Sequence, residues 1–319
     1  MKLVILDGYA ENPGDLSWHW LQEKVDSFVI YDYTAPEEVL ARSLEADILV
    51  TNKTVLPGEI LRKLPKLKFI STLSTGYNVI DIAAAREMGV SVSNIPAYST
   101  DGVAQLVFAL LLELMNHVGL HNESVKAGDW TRCRHFCYWK TPLTELHGKT
   151  FGIFGFGQIG KAVAQIANAF GMRVLATSPH SRDYAGFGTV EFVALDTLLK
   201  ESDVISLHCP LTPETTGLVN EAFLAKMKPT AVLINTSRGP VINETDLAAA
   251  LNAGRIAGAG VDVLSTEPPK ADNPLLSCKN CIITPHIAWA SLEARTRLMN
   301  IFKANVEGYL NGEEINVVN

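Results

Sequence analysis

Three charged side chains stand out by what precedes them. Arg238 lies in Asn235-Thr-Ser-Arg-Gly239, Glu267 in Val261-Asp-Val-Leu-Ser-Thr-Glu-Pro-Pro269 and His286 in Thr284-Pro-His-Ile-Ala-Trp-Ala290, and each motif follows a short apolar run of strand character. In an open parallel α/β sheet, ligands bind beyond the carboxyl ends of the strands, so these motifs would deliver an Arg, a Glu and a His to one crevice. A guanidinium forks onto a carboxylate or polarises a carbonyl. An imidazole moves protons near neutral pH, and a carboxylate beside it orients the ring and stabilises its charged form. That is equipment for reducing a 2-oxo acid. Singly, each residue has an ordinary explanation: a turn arginine, an acid before Pro268, a core histidine. Their co-occurrence in ordered motifs favours the chemical reading. The other histidines, His208 and His180 included, have no comparable setting and read as structural. No base is identifiable beside Ser74 or Thr75, so neither reads as a nucleophile.

A second motif indicates what would supply the reducing equivalent. Lys149-Thr-Phe-Gly-Ile-Phe-Gly-Phe-Gly-Gln-Ile-Gly-Lys161 runs a short apolar strand into Gly155-x-Gly157-x-x-Gly160 and then an alanine-rich helix. This is the setting of a dinucleotide fingerprint. The first glycine makes the tight turn, the second lets backbone approach a pyrophosphate, and the third lets a helix starting near Gln158 pack on the strand. The unpaired N–H groups of that helix face the anion. The glycine motif alone is weak, since methyltransferases and flavoproteins also carry it.

The elements that position these residues alternate. Before the fingerprint, strand-like runs at Leu3 to Leu6, Phe28 to Tyr31, Asp47 to Val50, Phe69 to Leu73 and Val90 to Ser93 alternate with helical stretches at Pro36 to Leu44 and Asp81 to Met88. After it comes a second series, at Phe151 to Phe154, Arg173 to Thr177, Val190 to Val193, Val204 to Leu207, Ala231 to Asn235, Gly258 to Val263 and Cys281 to Thr284. Alternation of this kind predicts parallel sheets covered by helices, hence an α/β protein of two doubly wound, Rossmann-like domains separated by a cleft. Ser99-Thr-Asp101 can cap a long helix running to about His121, and a tail helix from Ser291 to Leu310 has no sheet of its own. The expected organisation is a flavodoxin-like substrate domain of residues 1–98 plus 290–319, with a dinucleotide-binding domain of residues 99–289 inserted into it. Crossings near Tyr98 and Trp289 would form a hinge, with the ligand in the cleft. Residues 126–145 carry Trp130, Phe136, Tyr138 and Trp139 among several cations without a clean period. That bias favours an arm contributed to a subunit interface over a surface excursion, and a homodimer through residues 99–145.

Composition narrows the class. The 319 residues suit about two domains, and 47% hydrophobic content can fill two cores. A net charge of -7 argues against nucleic acid or an acidic membrane as partner. The opening Met-Lys-Leu-Val-Ile-Leu-Asp7 is too short for a signal segment, and Val103 to Leu120 is interrupted by Gln105, Glu113 and Asn116, which makes a poor membrane span. Five cysteines, an odd number, fit a reducing compartment, so the expected location is the cytoplasm. Cys278-Lys-Asn-Cys281 has the spacing of half a zinc site, but no second pair completes a tetrahedron, and no metal is expected.

With these residues in view, the whole chain resembles the D-isomer-specific 2-hydroxyacid dehydrogenase family. The matching elements are Gly155-Phe-Gly-Gln-Ile-Gly160, His208-Cys-Pro-Leu-Thr-Pro-Glu-Thr215, Asn235-Thr-Ser-Arg-Gly-Pro240, Val261-Asp-Val263 with Glu267, and Pro285-His286. The resemblance implies that Arg238 holds the substrate carboxylate and carbonyl, that His286 is the acid/base, and that Glu267 pairs with it and raises its pKa. It implies that Asp262 touches the nicotinamide amide and that Leu73-Ser-Thr-Gly76 offers amides to the substrate, through Ser74, Thr75 and Gly76. It also implies a cofactor surface including Gly155, Gly157, Gln158, Ile159, Gly160, Cys209, Pro210, Thr215, Thr236, Ser237, Asp262 and Ala288. One departure is instructive. About twenty residues past the fingerprint the family usually places an Asp to accept the ribose hydroxyls, whereas this chain has Ser178, followed by His180, Ser181 and Arg182. Without that carboxylate a 2'-phosphate is not repelled and Ser178, His180, Ser181 and Arg182 can receive it instead, so NADP use at least comparable to NAD use is expected. An end at Asn319 leans away from the longer phosphoglycerate dehydrogenases, and the general likeness is to glycerate dehydrogenases that reduce hydroxypyruvate or glyoxylate. Trp139, from a neighbouring subunit, and Trp289 would restrict the pocket to small acids. The alternatives are a dinucleotide-sensing binding protein of the same fold, or a family member acting on another 2-oxo acid, phosphonate or formate. Formate enzymes resembling the family usually carry Gln where this chain has Glu267.

Overall fold

The computed structural model describes residues 1–178 and 189–319. Among the described residues the strands are β1 (Lys2–Ile5), β2 (Ser27–Ile30), β3 (Ile48–Thr51), β4 (Phe69–Thr72), β5 (Ser91–Ser93), β6 (Thr150–Phe154), β7 (Arg173–Thr177), β8 (Val190–Phe192), β9 (Val204–Leu207), β10 (Val232–Asn235), β11 (Gly258–Val261) and β12 (Cys281–Ile283). The α-helices are α1 (Val39–Ser43), α2 (Gly58–Leu61), α3 (Ile82–Glu87), α4 (Thr100–Asn116), α5 (Val118–Lys126), α6 (Gln158–Ala169), α7 (Leu195–Glu201), α8 (Glu221–Leu224), α9 (Glu244–Asn252) and α10 (Leu292–Asn311). The chain divides into two compact units, Met1–Ser99 with Ala290–Asn319, and Thr100–Trp289.

The first unit is built on a parallel sheet of order β2-β1-β3-β4-β5. Strands β3 and β4 are buried along their whole length, as expected of a parallel strand covered on both faces. The chain reverses its direction of winding between β1 and β3. There the Asp7 carboxylate accepts from the N–H groups of Asn52, Lys53 and Thr54 at 2.8, 2.6 and 2.8 Å, fixing the turn that leaves β3. Helix α10 belongs to this unit: Tyr309 stacks on Phe69 of β4 at 4.5 Å, and Asn305 donates to the Asn94 carbonyl. Ser291 caps α10 by accepting from Ala294 N–H, and Arg295 forks onto Asp15 with two contacts of 2.7 Å.

The second unit carries a parallel sheet of order β12-β11-β10-β9-β6-β7-β8. The chain runs outward from β6 to β8, then returns to the other side of β6 at β9, so the switch point lies between β6 and β9. Helix α4 lies close on the sheet because β11 reads Gly258-Ala-Gly260: a Cβ on Gly260 would meet Leu110, and one on Gly258 would meet Leu114. Leu110, Leu111 and Val107 are buried here, each contributing about 1.5–3 kcal/mol relative to exposure.

The expected single helix through about His121 is two helices. His117 adopts a left-handed φ of 46°, and α4 and α5 meet at a 57° bend. The Glu113 carboxylate accepts from Gly119 N–H, supplying a partner to the first turn of α5. Among the described residues no single helix is long and apolar enough to cross a membrane. Beyond α5 the 126–145 segment is tied by its own polar contacts. Asp129 takes Lys140 at 2.7 Å and the Ser124 hydroxyl at 2.7 Å, and these partners hold its carboxyl down to about 2. Phe136 is 92% exposed and Trp139 66%, so the aromatic faces of this segment point outward from the unit.

Candidate active site

Because β10, β11 and β12 are adjacent and parallel, their carboxyl ends lie side by side, and backbone bonds continue the order past the strands. Asp262 N–H donates to the Asn235 carbonyl, Thr284 N–H to Val261, and His286 N–H to Asp262 at 2.8 Å. Arg238, Asp262 and His286 therefore leave neighbouring strands at one end of the sheet. The Asn235 side chain, fully buried, shapes the first turn: its Oδ1 accepts from Ser237 N–H and the Ser237 hydroxyl, and its Nδ2 donates to the Arg238 carbonyl. Arg238 itself is exposed, with Nη1 donating to the Ser237 carbonyl at 2.8 Å.

The second turn is organised by Asp262, 1% exposed. Its Oδ1 accepts from the Thr284 hydroxyl at 2.6 Å and Ile287 N–H at 2.9 Å, and its Oδ2 accepts from Ala288 N–H at 2.9 Å. Burial pushes this carboxyl up, while the three donors oppose the shift. The net effect of the geometry is to clamp residues 284–288, and with them His286, whose φ of 55° is a left-handed conformation that a non-glycine residue holds only when its surroundings fix it. His286 Nδ1 lies 2.6 Å from Glu267 Oε2, and Glu267 Oε1 accepts from Leu264 N–H at 3.0 Å. The carboxylate is thus anchored at one oxygen and aligned to the imidazole with the other.

Gly239 joins the arginine turn to the glutamate loop. A Cβ there would overlap the Leu264 carbonyl and crowd Ser265 N, so only glycine lets the two backbones meet. Gly239→Ala is expected to cost stability by about 3 kcal/mol, the upper end for overpacking because backbone rather than a side chain must move. A thermal unfolding scan that matched the parent protein would refute this contact.

At the switch point the three glycines behave differently. Gly155 has φ 94°, and a Cβ on it would meet the His208 carbonyl carbon at 2.8 Å and Cys209 N at 2.9 Å. A Cβ on Gly160 would meet the Gly155 carbonyl oxygen and Ile153. Gly157, preceding α6, has open space where its Cβ would be. The first and third glycines serve close packing and the second leaves room for a ligand beside the N–H groups of Gln158 and Ile159. Ser178 follows β7, whose Thr177 carbonyl accepts from Gly155 N–H, and is half-buried. His180, Ser181 and Arg182 lie outside the described residues.

Across the turn, Cys209 is buried, and burial pushes its thiol up to about 11, so it is not a reactive thiolate. His208 Nε2 meets the Ser206 hydroxyl at 2.8 Å, and burial lowers its pKa, leaving it neutral. The Thr215 hydroxyl donates to the Pro210 carbonyl and receives Thr212 N–H, closing that loop. Thr236 Oγ1 is different: it is buried and has no hydrogen-bond partner among the described residues. A buried hydroxyl awaiting a partner, beside a sheet end whose switch point has a vacant approach over Gly157, fits a dinucleotide. In the first unit, the Ser74 hydroxyl donates to the Gly76 carbonyl, the Thr75 hydroxyl to the Ile95 carbonyl, and the Thr72 hydroxyl to the Ser74 carbonyl. These bonds stiffen the loop. Trp289 is half-buried at the end of the second unit.

A seven-stranded parallel sheet with a glycine turn at its switch point and an aligned His–Glu pair is the framework of a dinucleotide-dependent oxidoreductase. Residues 108–288 match the model of the D-isomer specific 2-hydroxyacid dehydrogenase NAD binding domain. A hydroxypyruvate reductase of Blautia hydrogenotrophica is 51% identical over 322 residues, covering 100% of both chains. A glycerate dehydrogenase of Methylorubrum extorquens is 42% identical over 89% of this chain and 88% of its own. A solved structure of an acyclic imino acid reductase in complex with NADPH and D-Arg superposes with a TM-score of 0.87 at 36% identity, covering 100% of both chains. The chain belongs to the D-isomer specific 2-hydroxyacid dehydrogenase family. Its cofactor is a nicotinamide dinucleotide.

Sequence reasoning selected Arg238, Glu267 and His286, and the structure bonds the last two directly. It missed the supporting residues Thr284, the Leu264 N–H and Gly239 as a loop contact. Only Gly239 left a signal, as the glycine following the arginine.

Proposed function

We propose that this protein reduces hydroxypyruvate and glyoxylate to D-glycerate and glycolate, with His286 as acid/base. The observation that supports it best is the 2.6 Å contact between His286 Nδ1 and Glu267 Oε2 at the carboxyl end of the sheet. With Nδ1–H held by the Glu267 carboxylate, Nε2 carries the transferable proton in the charged imidazolium and is the accepting base in the neutral ring. When bound, the reduced nicotinamide supplies the hydride to C2. His286 Nε2 gives its proton to the carbonyl oxygen, Glu267 stabilises the imidazolium before transfer, and the neutral ring regains a proton from water. Arg238 holds the substrate carboxylate and polarises the carbonyl as negative charge builds on its oxygen. Asp262 presents the nicotinamide subsite, and Ser74, Thr75 and Gly76 offer backbone N–H groups to the acid. Gly155, Gly157, Gln158, Ile159, Gly160, Cys209, Pro210, Thr215, Thr236, Ser237 and Ala288 form the dinucleotide surface.

Trp139, from a second copy docked through residues 99–145, and Trp289 close the pocket around small acids, and the protein works as a cytoplasmic homodimer. The test is the ratio of kcat/KM among hydroxypyruvate, glyoxylate, pyruvate and phenylpyruvate. The reading requires the first two to exceed phenylpyruvate, and that preference to shrink in Trp139→Ala. Equal turnover of all four would contradict it.

NADPH is used at least as well as NADH, because Ser178 stands where a repelling carboxylate would otherwise face a 2'-phosphate. Ser178→Asp is expected to weaken NADPH use roughly tenfold or more, about 1.4 kcal/mol, while sparing NADH. An unchanged NADPH to NADH ratio in that variant would remove the assignment.

A further inference from the structure

We infer that Glu244 is a positioning residue that sets the Glu267–His286 pair, an inference that rests on reading that pair as the acid/base apparatus. Glu244 opens α9, yet the helix is capped by its neighbour: Asn243 Oδ1 accepts from the N–H groups of Thr245 and Asp246. The Glu244 carboxylate is turned instead toward the loop that carries Glu267. Its Oε1 accepts from Ser265 N–H at 2.7 Å, and its Oε2 accepts from the Ser265 hydroxyl at 2.7 Å and Asn273 Nδ2 at 2.9 Å. Asn273 is itself fixed, its Oδ1 accepting from Leu275 N–H at 3.0 Å. One carboxylate therefore ties down both ends of residues 265–273, with Glu267 between them.

The tether reaches the chemistry by a short path. Ser265 follows Leu264, whose N–H anchors Glu267 Oε1, and Glu267 Oε2 meets His286 Nδ1. The backbone of Leu264 and Ser265 also abuts Gly239, the residue after Arg238. Without Glu244, Ser265 and Asn273 would bond to water, and the loop could drift by the distance over which an aligned pair loses its alignment. Misplacement by about 1 Å costs up to about a hundredfold in rate.

The test compares Glu244→Ala, Glu244→Gln, Glu267→Gln and the Glu244→Ala/Glu267→Gln double variant, using kcat and KM with hydroxypyruvate and NADH binding by fluorescence. In Glu244→Ala, kcat should fall by roughly ten- to a hundredfold while KM for hydroxypyruvate changes little. NADH affinity should be preserved, because the glycine turn lies on other strands. Glu244→Gln keeps a carbonyl for Ser265 N–H and its amide can donate to the Ser265 hydroxyl, but it cannot accept from Asn273 Nδ2, so it should hold the Ser265 end alone and recover part of the loss. In the Glu267→Gln background, Glu244→Ala should add little. Wild-type kcat in Glu244→Ala would overturn the inference, as would an undiminished loss in the Glu267→Gln background. Full activity of Glu267→Gln would instead overturn the reading of the pair, and the inference with it.

Discussion

His286→Gln is expected to lower kcat for 2-oxo acid reduction by about 10^2 to 10^4 while leaving dinucleotide affinity unchanged. Glutamine can occupy the turn clamped by Asp262 and can bond to Glu267, but its amide cannot give up a proton near neutral pH. Glu267 keeps its anchor on Leu264 N–H in the variant, so the loop should stay in place. The loss should therefore appear in kcat at every pH. Steady-state rates across the pH range, with NADH binding followed by fluorescence, check both parts. A variant retaining full activity near neutral pH would remove His286 from the reaction.

Arg238→Ala is expected to reduce kcat/KM by about 10^2 to 10^3, roughly 3–4 kcal/mol of transition-state stabilisation, with both kcat and KM affected. The double effect follows from the two duties assigned to one guanidinium, binding the carboxylate and stabilising the developing oxyanion. Arg238 is exposed and its one side-chain bond among the described residues goes to the adjacent Ser237 carbonyl, so its removal should not unfold the turn, which Asn235 shapes. Arg238→Lys should recover only part of the rate, because an ammonium is a point charge and cannot present the planar fork. If Arg238→Ala raised KM alone, the arginine would be a binding group without a share in catalysis.

Much of this architecture was legible because parallel strands buried on both faces leave continuous apolar runs, and the runs at Arg173–Thr177 and Val204–Leu207 were placed to the residue. The break between α4 and α5 was not, because the apolar pattern continues through His117 and the turn depends on a left-handed backbone and a Glu113 carboxylate reaching Gly119. The Arg, Glu and His were visible because each sits in a compact motif after a strand. Their supports were not, because the partners are far apart in the chain: Asp262 with Thr284, Glu244 with Ser265 and Asn273. No local spacing encodes such pairs. The glycines of the fingerprint lay between these cases: spacing marked all three, and a Cβ on Gly155 or Gly160 would meet backbone while no described atom lies within 4 Å of one on Gly157.

The central claim is that this site couples oxidation of a reduced nicotinamide to reduction of a small 2-oxo acid. Absorbance at 340 nm, followed while the purified protein is offered hydroxypyruvate with NADH and with NADPH and paired with quantitation of D-glycerate, tests it most directly. The account predicts loss of absorbance matched by D-glycerate in equal amount. Dinucleotide binding with no loss of absorbance, for hydroxypyruvate or for glyoxylate, pyruvate and phenylpyruvate in its place, would contradict it and mark the protein as a binder of the dinucleotide rather than a reductase.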